Sequence, residues 1–159
     1  MTNNDILRRL RYALNLTDGQ VAKAIAHIGG ESNLAQVGSW LMQDDNAGFL
    51  ELSDTELCQF LDGLIIEKRG PRPDGTTPEP QEFLSTNEVL KKLRIALALR
   101  DDDMTAIFTR AEFVVTKAEL GSFFRKEGQR NFRKCPEQVL RKFIQGLGKA
   151  AQTEEGSAG

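Results

Sequence analysis

An internal repeat dominates this sequence. Residues 4–64 align with residues 87–147 at a constant offset of 83 positions, without a gap, and 16 of the 61 aligned pairs are identical. Many of the other pairs are conservative exchanges, such as Trp40 with Phe123. A repeat of this length indicates a small domain used twice, so the two copies and the differences between them have to explain both fold and function.

The apolar residues of each copy recur at helical spacing. The first segment places Ile6, Leu7, Leu10, Ala13 and Leu14 three and four residues apart, and the second copy repeats the pattern. Such spacing is typical of an amphipathic helix, and the chain shows no sustained alternation of the kind that strands require. The pattern continues through three further segments of each copy, which predicts about four helices per repeat.

The helix ends and two glycines add detail to this prediction. An asparagine precedes the first apolar run of each copy, so we expect Asn4 and Asn87 to be N-caps. Gly38 and Gly121 fall in mid-helix at equivalent positions, which favours a close helix crossing there. The remaining helices are expected to begin at or just after Asp18, Asn33 and Ser53 in the first copy, and Asp101, Thr116 and Pro136 in the second.

The predicted fold is therefore all-α, a tandem of two similar bundles of about four helices each. Repeat 1 spans residues 1–69, a Pro/Gly-rich linker spans 70–83, repeat 2 spans 84–149, and a flexible tail spans 150–159. Four of the five prolines lie in the linker, through which no regular helix can run. Because a domain of about 65 residues is marginally stable alone, we expect the repeats to pack about an approximate two-fold axis, with separate domains as the alternative.

Charge divides the two repeats. Residues 1–70 carry 6 basic and 10 acidic side chains, whereas residues 84–149 carry 14 basic and 8 acidic ones. Such asymmetry points either to a charged partner or to docking of one repeat against the other. The N-terminal segment does not resemble a targeting peptide, and no apolar run is long enough to span a membrane. We therefore expect a cytoplasmic protein without membrane contact, whose Cys58 and Cys135 are buried, reduced thiols.

Four segments carry a resemblance to a known family. They are NNDILRRLRYALNLTD and AQVGSWLMQDD in repeat 1, with VLKKLRIALALRDDD and AELGSFFRKEG in repeat 2. Together they resemble the YehS-like family of small bacterial proteins, which is built from a tandem domain of unknown function. The resemblance covers about residues 3–148. It implies a bacterial, soluble, tandem-helical protein, and it supplies no catalytic residue that could be carried over to this chain.

Candidate catalytic and metal-binding residues are few. The single histidine, His27, has no histidine or glutamate at metal-ligand spacing. Ser39 and Ser122 do not lie on a nucleophile elbow, and helix-packing serines are the simpler interpretation. The run Asp101-Asp102-Asp103 suits the positive end of a helix better than a divalent metal. We therefore predict a protein that is not an enzyme and that has no cofactor and no metal site.

Repeat 2 carries the strongest binding signal. Basic residues between Phe123 and Phe143 are interleaved with aromatic and amide side chains, a pattern that suits a nucleic-acid backbone as well as acidic protein groups. Phe132 aligns with Phe49, which lies among acidic residues, so this aromatic is expected to be a core residue of both repeats. The predicted contact residues are Arg125, Lys126, Arg130, Arg133, Lys134, Arg141 and Lys142.

Two functions remain open on this basis. The first is a protein-interaction or regulatory module, whose basic face in repeat 2 binds an acidic protein or the acidic repeat of a second copy. The second is an RNA- or DNA-binding protein that uses the same face. The second and third helices of repeat 1 are loosely arranged like a helix-turn-helix, but their connection is long and the presumed reading helix has no basic residue.

Overall fold

The computed structural model describes the backbone of residues 1–158 and the side chains of residues 1–151. Within the described backbone, the chain forms eight α-helices and no strand, so the predicted all-α tandem with four helices per repeat is confirmed. The predicted tail lies outside the described side chains, apart from Ala150 and Ala151. The helices of repeat 1 are α1 (Asn3–Ala13), α2 (Asp18–His27), α3 (Leu34–Leu41) and α4 (Asp54–Arg69). Those of repeat 2 are α5 (Thr86–Ala96), α6 (Asp101–Arg110), α7 (Lys117–Phe123) and α8 (Glu137–Ala158).

Most of the predicted helix starts are confirmed. The Asn33 side chain accepts the N–H of Gln36 at 2.8 Å at the start of α3, and Thr116 caps α7 in the same way. The first helix of each repeat begins earlier than expected, because the hydroxyl groups of Thr2 and Ser85 are its N-caps. Both belong to capping boxes, in which an acidic residue of the first turn returns a hydrogen bond to the backbone of the cap.

The expected N-caps Asn4 and Asn87 are wrong, because both side chains are buried inside their repeats. The Asn4 amide donates to the carbonyl groups of Trp40 and Leu50 at 2.9 Å each, and its oxygen accepts the N–H of Leu52 at 3.0 Å. The equivalent three bonds form in repeat 2. A buried amide with every bond satisfied therefore ties the end of the third helix to the loop that follows it.

The close helix crossings are made by glycines other than those expected. A Cβ atom at Gly38 or Gly121 would meet nothing within 4 Å, so the crossing predicted at these positions is wrong. A Cβ atom at Gly63 would lie 1.7 Å from the carbonyl oxygen of Ala24, and one at Gly146 would lie 2.1 Å from a carbonyl oxygen of α6. Because no side chain fits these positions, α2 on α4 and α6 on α8 are in backbone contact.

The two repeats share one hydrophobic core. Helix α4 packs against α5, which we call the α4–α5 seam, and α1 packs against α8, which we call the α1–α8 seam. Exchanging the repeats turns one seam into the other, as an approximate two-fold axis requires. The α4–α5 seam is crossed by an ion pair between Lys92 and Asp62 at 2.5 Å, and the Asp62 side chain is only 4% exposed.

The linker lies on the α4–α5 seam. The Thr55 hydroxyl donates to the backbone carbonyl of Gln81 at 3.0 Å, and the Gln81 amide donates to Glu88 at 2.6 Å. Just after the linker, the N–H of Leu84 donates to the Asp54 carboxylate at 3.0 Å. The linker between the repeats is thus held to both helices of the seam.

Candidate binding site

The loop between α7 and α8 builds the candidate site. It is held by Asn87, whose amide donates to the carbonyl groups of Phe123 and Arg133 at 3.0 and 2.8 Å. The N–H of Arg133 donates in turn to the carbonyl of Ser122 at 3.1 Å. Gly128 turns the loop with a φ of 89°, which glycine adopts without strain. These constraints fix the loop beside the N-terminal half of α5.

A groove of about 480 Å³ lies between this loop and α5. Three aromatic side chains contribute to its lining, those of Phe123, Phe124 and Phe132. The Arg94 guanidinium lies over the Phe124 ring, 4.6 Å from its centroid, and so supports it from outside the groove. The charged residues of the lining are Lys91, Arg125, Lys126, Lys134, Glu88 and Glu127. We call this feature the basic groove.

The structure brings three of the seven predicted contact residues to the basic groove, namely Arg125, Lys126 and Lys134. Arg125 also lines a neighbouring depression of about 590 Å³, where it is joined by Arg133. The sequence pattern misses Lys91, because this residue precedes the basic run by more than thirty positions. The signal that could have identified it is its alignment with Arg8, a second cation on the first helix.

The other predicted contact residues lie elsewhere. Arg130 is exposed on the loop and lines neither depression. Arg141 and Lys142 are half-buried on α8, and the Arg141 guanidinium donates to the Gln138 side chain at 2.7 Å. The basic run of the sequence is therefore divided between a groove, an exposed loop and a helix face.

The cations of the run form no ion pairs among the side chains that the structure describes. None of the seven predicted contact residues forms an ion pair with any side chain within residues 1–151. Lys91 forms none within the same residues. The lysine of repeat 2 that forms an ion pair with repeat 1 is Lys92, whose partner is Asp62. The cations of the basic groove thus form no direct ion pair within residues 1–151, although Glu88 and Glu127 line the same groove.

Phe132 is a lining residue rather than a core residue. It is half-buried in the basic groove and does not belong to the hydrophobic core, and Phe49 is half-buried at the equivalent place in repeat 1. The expectation of a shared core aromatic is therefore wrong. The aromatic recurs because both repeats have a groove at this position.

The equivalent groove of repeat 1 has the opposite charge. It encloses about 380 Å³, its charged side chains are Asp44 and Glu51, and no lysine or arginine lines it. Arg8, at the position of Lys91, instead donates to the carbonyl of Met42 at 2.6 Å and so holds the loop of its own repeat. One backbone arrangement therefore presents a basic groove in repeat 2 and an acidic groove in repeat 1.

The residues considered for catalysis or metal binding have structural partners. His27 pairs with Glu67 and so joins α2 to α4, and the hydrogen bond from His27 is the main cause of the lowered pKa of Glu67. Asp101 pairs with Arg94 at 2.7 Å, while Asp103 accepts the backbone N–H at the N-cap of α6. In the part of the chain whose side chains are described, no group of three or more His, Cys, Asp or Glu residues is arranged to hold a metal ion.

Almost the whole chain is similar to known proteins of one family. Residues 3–70 and 86–151 both match the family model described as "Protein of unknown function (DUF1456)". The chain is 38% identical over 156 residues to "Uncharacterized protein YehS" of Escherichia coli (strain K12), a match that covers 98% of this chain and 100% of that relative. No solved structure is significantly similar to the chain. None of the described helices has the length and apolar character needed to cross a membrane.

Proposed function

Because the chain belongs to the DUF1456 family, whose function is described as unknown, its role has to be inferred from its own surfaces, and we propose that it is a non-enzymatic protein-interaction module. Its contact site is the basic groove, and its partner is an acidic segment of another protein. The observation that carries this proposal is that four cations, Lys91, Arg125, Lys126 and Lys134, line one groove and form no ion pair within residues 1–151.

The lining of the groove supports a peptide ligand. Carboxylates that enter it would form charge-assisted hydrogen bonds with lysine and arginine, which are among the stronger bonds of protein surfaces. Phe124 and Phe132 add apolar area for the stems of the bound side chains. A second copy of the chain is one acidic partner of this kind, since repeat 1 carries an excess of acidic side chains.

A second candidate function is the binding of single-stranded nucleic acid at the same groove. The observation that favours it is the position of Phe132, which lies among the cations, half-buried, and not in the core. An aromatic ring beside lysine and arginine suits a base that stacks while its phosphates are neutralised.

Binding of two fluorescent probes to the full chain tests both functions. The probes are an oligoglutamate peptide and a single-stranded oligothymidine, titrated at low and at physiological salt. Arg125→Glu/Lys134→Glu reverses two groove cations, and Arg130→Glu/Lys142→Glu makes the same change of charge outside the groove. We expect the groove variant to lose about tenfold in affinity for oligoglutamate and the control variant to stay close to wild type.

The outcomes separate the functions. Oligothymidine binding that is stronger than oligoglutamate binding and that falls in Phe132→Ala would favour the nucleic-acid function. Sedimentation of the chain alone at low and high salt identifies self-association, which should vanish in the groove variant. If wild type binds neither probe at low salt and remains monomeric, the basic groove is not a binding site.

A further inference from the structure

The two seams between the repeats are equivalent in construction but differ in what lines them. On the α1–α8 seam, a depression of about 280 Å³ is lined only by residues of these two helices. On the α4–α5 seam, the equivalent depression of about 440 Å³ is lined also by the linker, through Arg72, Pro78 and Gln81. A segment without regular secondary structure therefore lines one seam, and within the described residues no segment of this kind lines the other.

Gln81 is the residue that anchors the linker to its seam. Its backbone carbonyl accepts from the Thr55 hydroxyl, and its side-chain oxygen accepts from the Cys58 thiol at 3.4 Å. Its amide nitrogen donates to the Glu88 carboxylate at 2.6 Å. The seam thus presents two donors on α4 and one acceptor on α5 to a single extended residue.

The α1–α8 seam presents groups of the same hydrogen-bonding kind at the equivalent positions. In the alignment of the repeats, Gln138 corresponds to Thr55 and Arg141 corresponds to Cys58, so α8 also carries two hydrogen-bond donors. Asp5 corresponds to Glu88, so α1 also carries a carboxylate, as α5 does.

Two further exchanges replace a branched side chain of the α1–α8 seam by glycine and make this seam more basic. Gly148 takes the place of Ile65 and lines the depression, and a Cβ atom added to it would lie 3.6 Å from Ala13 of α1, an ordinary contact distance. The ion pair of Lys92 with Asp62 is replaced by Arg9 and Gln145, so Arg9 is left without a carboxylate partner within the described residues.

We propose that the α1–α8 seam is a second binding site, which takes an extended acidic segment of a partner protein in the position that the linker takes on the α4–α5 seam. Arg9 and Arg141 select acidic side chains, because they stand where the occupied seam has an ion-paired lysine and a thiol. Gly148 provides the space into which an apolar side chain of the partner fits. This site is separate from the basic groove and does not depend on its function.

The linker itself supplies the probe. A synthetic peptide of residues 77–83, Thr-Pro-Glu-Pro-Gln-Glu-Phe, carries two glutamates and contains Gln81, which anchors the linker to its own seam. It is titrated to millimolar concentration into the isotopically labelled full chain, with backbone amide shifts as the readout. A peptide with both glutamates replaced by glutamine is the control for charge.

The proposal expects amide shifts in α1 around Arg9 and in α8 from Ile144 to Lys149. Arg9→Glu should weaken binding about tenfold, because a charge-assisted bond becomes a repulsion, whereas Arg130→Glu should leave it unchanged. Gly148→Ile should abolish binding by filling the depression as Ile65 does, and circular dichroism checks that this variant is folded.

Three results would overturn the proposal: no shift on the seam at millimolar peptide, equal binding of the glutamine peptide, or unchanged binding in Arg9→Glu. That last variant alters an exposed residue, so its outcome is decisive even where Gly148→Ile does not fold. Shifts confined to the basic groove would likewise refute the seam as a site, while supporting the function proposed for that groove.

Discussion

Replacement of Gly63 by alanine tests the closest approach in the fold. The new Cβ atom would lie 1.7 Å from the carbonyl oxygen of Ala24 and 2.3 Å from its carbonyl carbon. Ordinary contacts of a Cβ atom begin at 3.4 Å, so α2 has to retreat from α4 by roughly 1.5 Å. The obstacle is backbone on both sides, and no change of rotamer can relieve it.

The expected cost follows from this displacement. Overpacking typically costs about 1–3 kcal/mol where side chains adjust, and more where they cannot. Retreat of α2 also loosens the packing of Val21 and Ile25, both fully buried, against α4. Alanine recovers about 1 kcal/mol through its better helix propensity. We therefore expect Gly63→Ala to lower the free energy of unfolding by about 3 kcal/mol, which for a chain of this size lowers Tm by roughly 10 °C.

Urea denaturation followed by Trp40 fluorescence measures this loss. Trp40 is the single tryptophan and is buried in α3, so its emission reports on repeat 1. Gly38→Ala is the matched control: it makes the same chemical change in a helix of the same repeat, where the new Cβ meets nothing within 4 Å. The control should be more stable than wild type by up to about 1 kcal/mol. If the two variants differ by less than about 1 kcal/mol, the backbone contact of α2 with α4 is not real.

Three further predictions concern buried or ion-paired groups. Asn87→Ala removes three hydrogen bonds behind the basic groove and should lower the free energy of unfolding by about 2–4 kcal/mol. The same variant should exchange the backbone amides of residues 133–135 faster than wild type. If these amides stay protected, Asn87 does not anchor the loop. Partial burial alone would raise the pKa of Asp5, but hydrogen bonds from the Thr2 backbone and the Arg8 guanidinium outweigh it and lower that pKa from 3.8 to about 2. The stabilisation by this carboxylate is therefore present above pH 4 and is lost as the pH falls toward 2, so Asp5→Asn should destabilise by about 1 kcal/mol at pH 7 and by nothing near pH 2 in thermal unfolding. Burial raises the pKa of the Cys135 thiol to about 12 and also raises the pKa of the Cys58 thiol. Iodoacetamide at pH 8 should therefore alkylate both cysteines in the unfolded chain and neither in the native protein. Rapid labelling of the native protein would show that these thiols are accessible.

The helices could be predicted because their determinants are local. Apolar spacing and capping residues act within a few positions of the chain, and they located α2, α3 and α4 and the equivalent helices of repeat 2. The glycines show that local sequence does not predict which position makes a close helix contact. Gly38 and Gly63 are both identical to their counterparts in repeat 2, and only the packing of α2 decides that Gly63 is the one in backbone contact.

The candidate site could be predicted only in part, for the same reason. The basic run of repeat 2 is visible in the sequence, but whether a given cation reaches the groove depends on the loop that Asn87 holds in place. Lys91 lines the groove from another helix, whereas Arg141 lies on α8 and does not line the groove. The sequence around Asn87 predicts a helix cap instead, because the three partners of its side chain lie 36 to 48 residues away in the chain.

The pairing of α1 with α8 has a consequence for how the protein is made. Helix α1 leaves the ribosome long before its partner α8, which does not begin until Glu137. At about 5–20 residues per second, the apolar face of α1 that meets α8 stays uncovered for on the order of ten seconds. A nascent chain arrested anywhere before residue 137 would leave that face exposed, so incomplete products of this protein should be good substrates for chaperones and proteases.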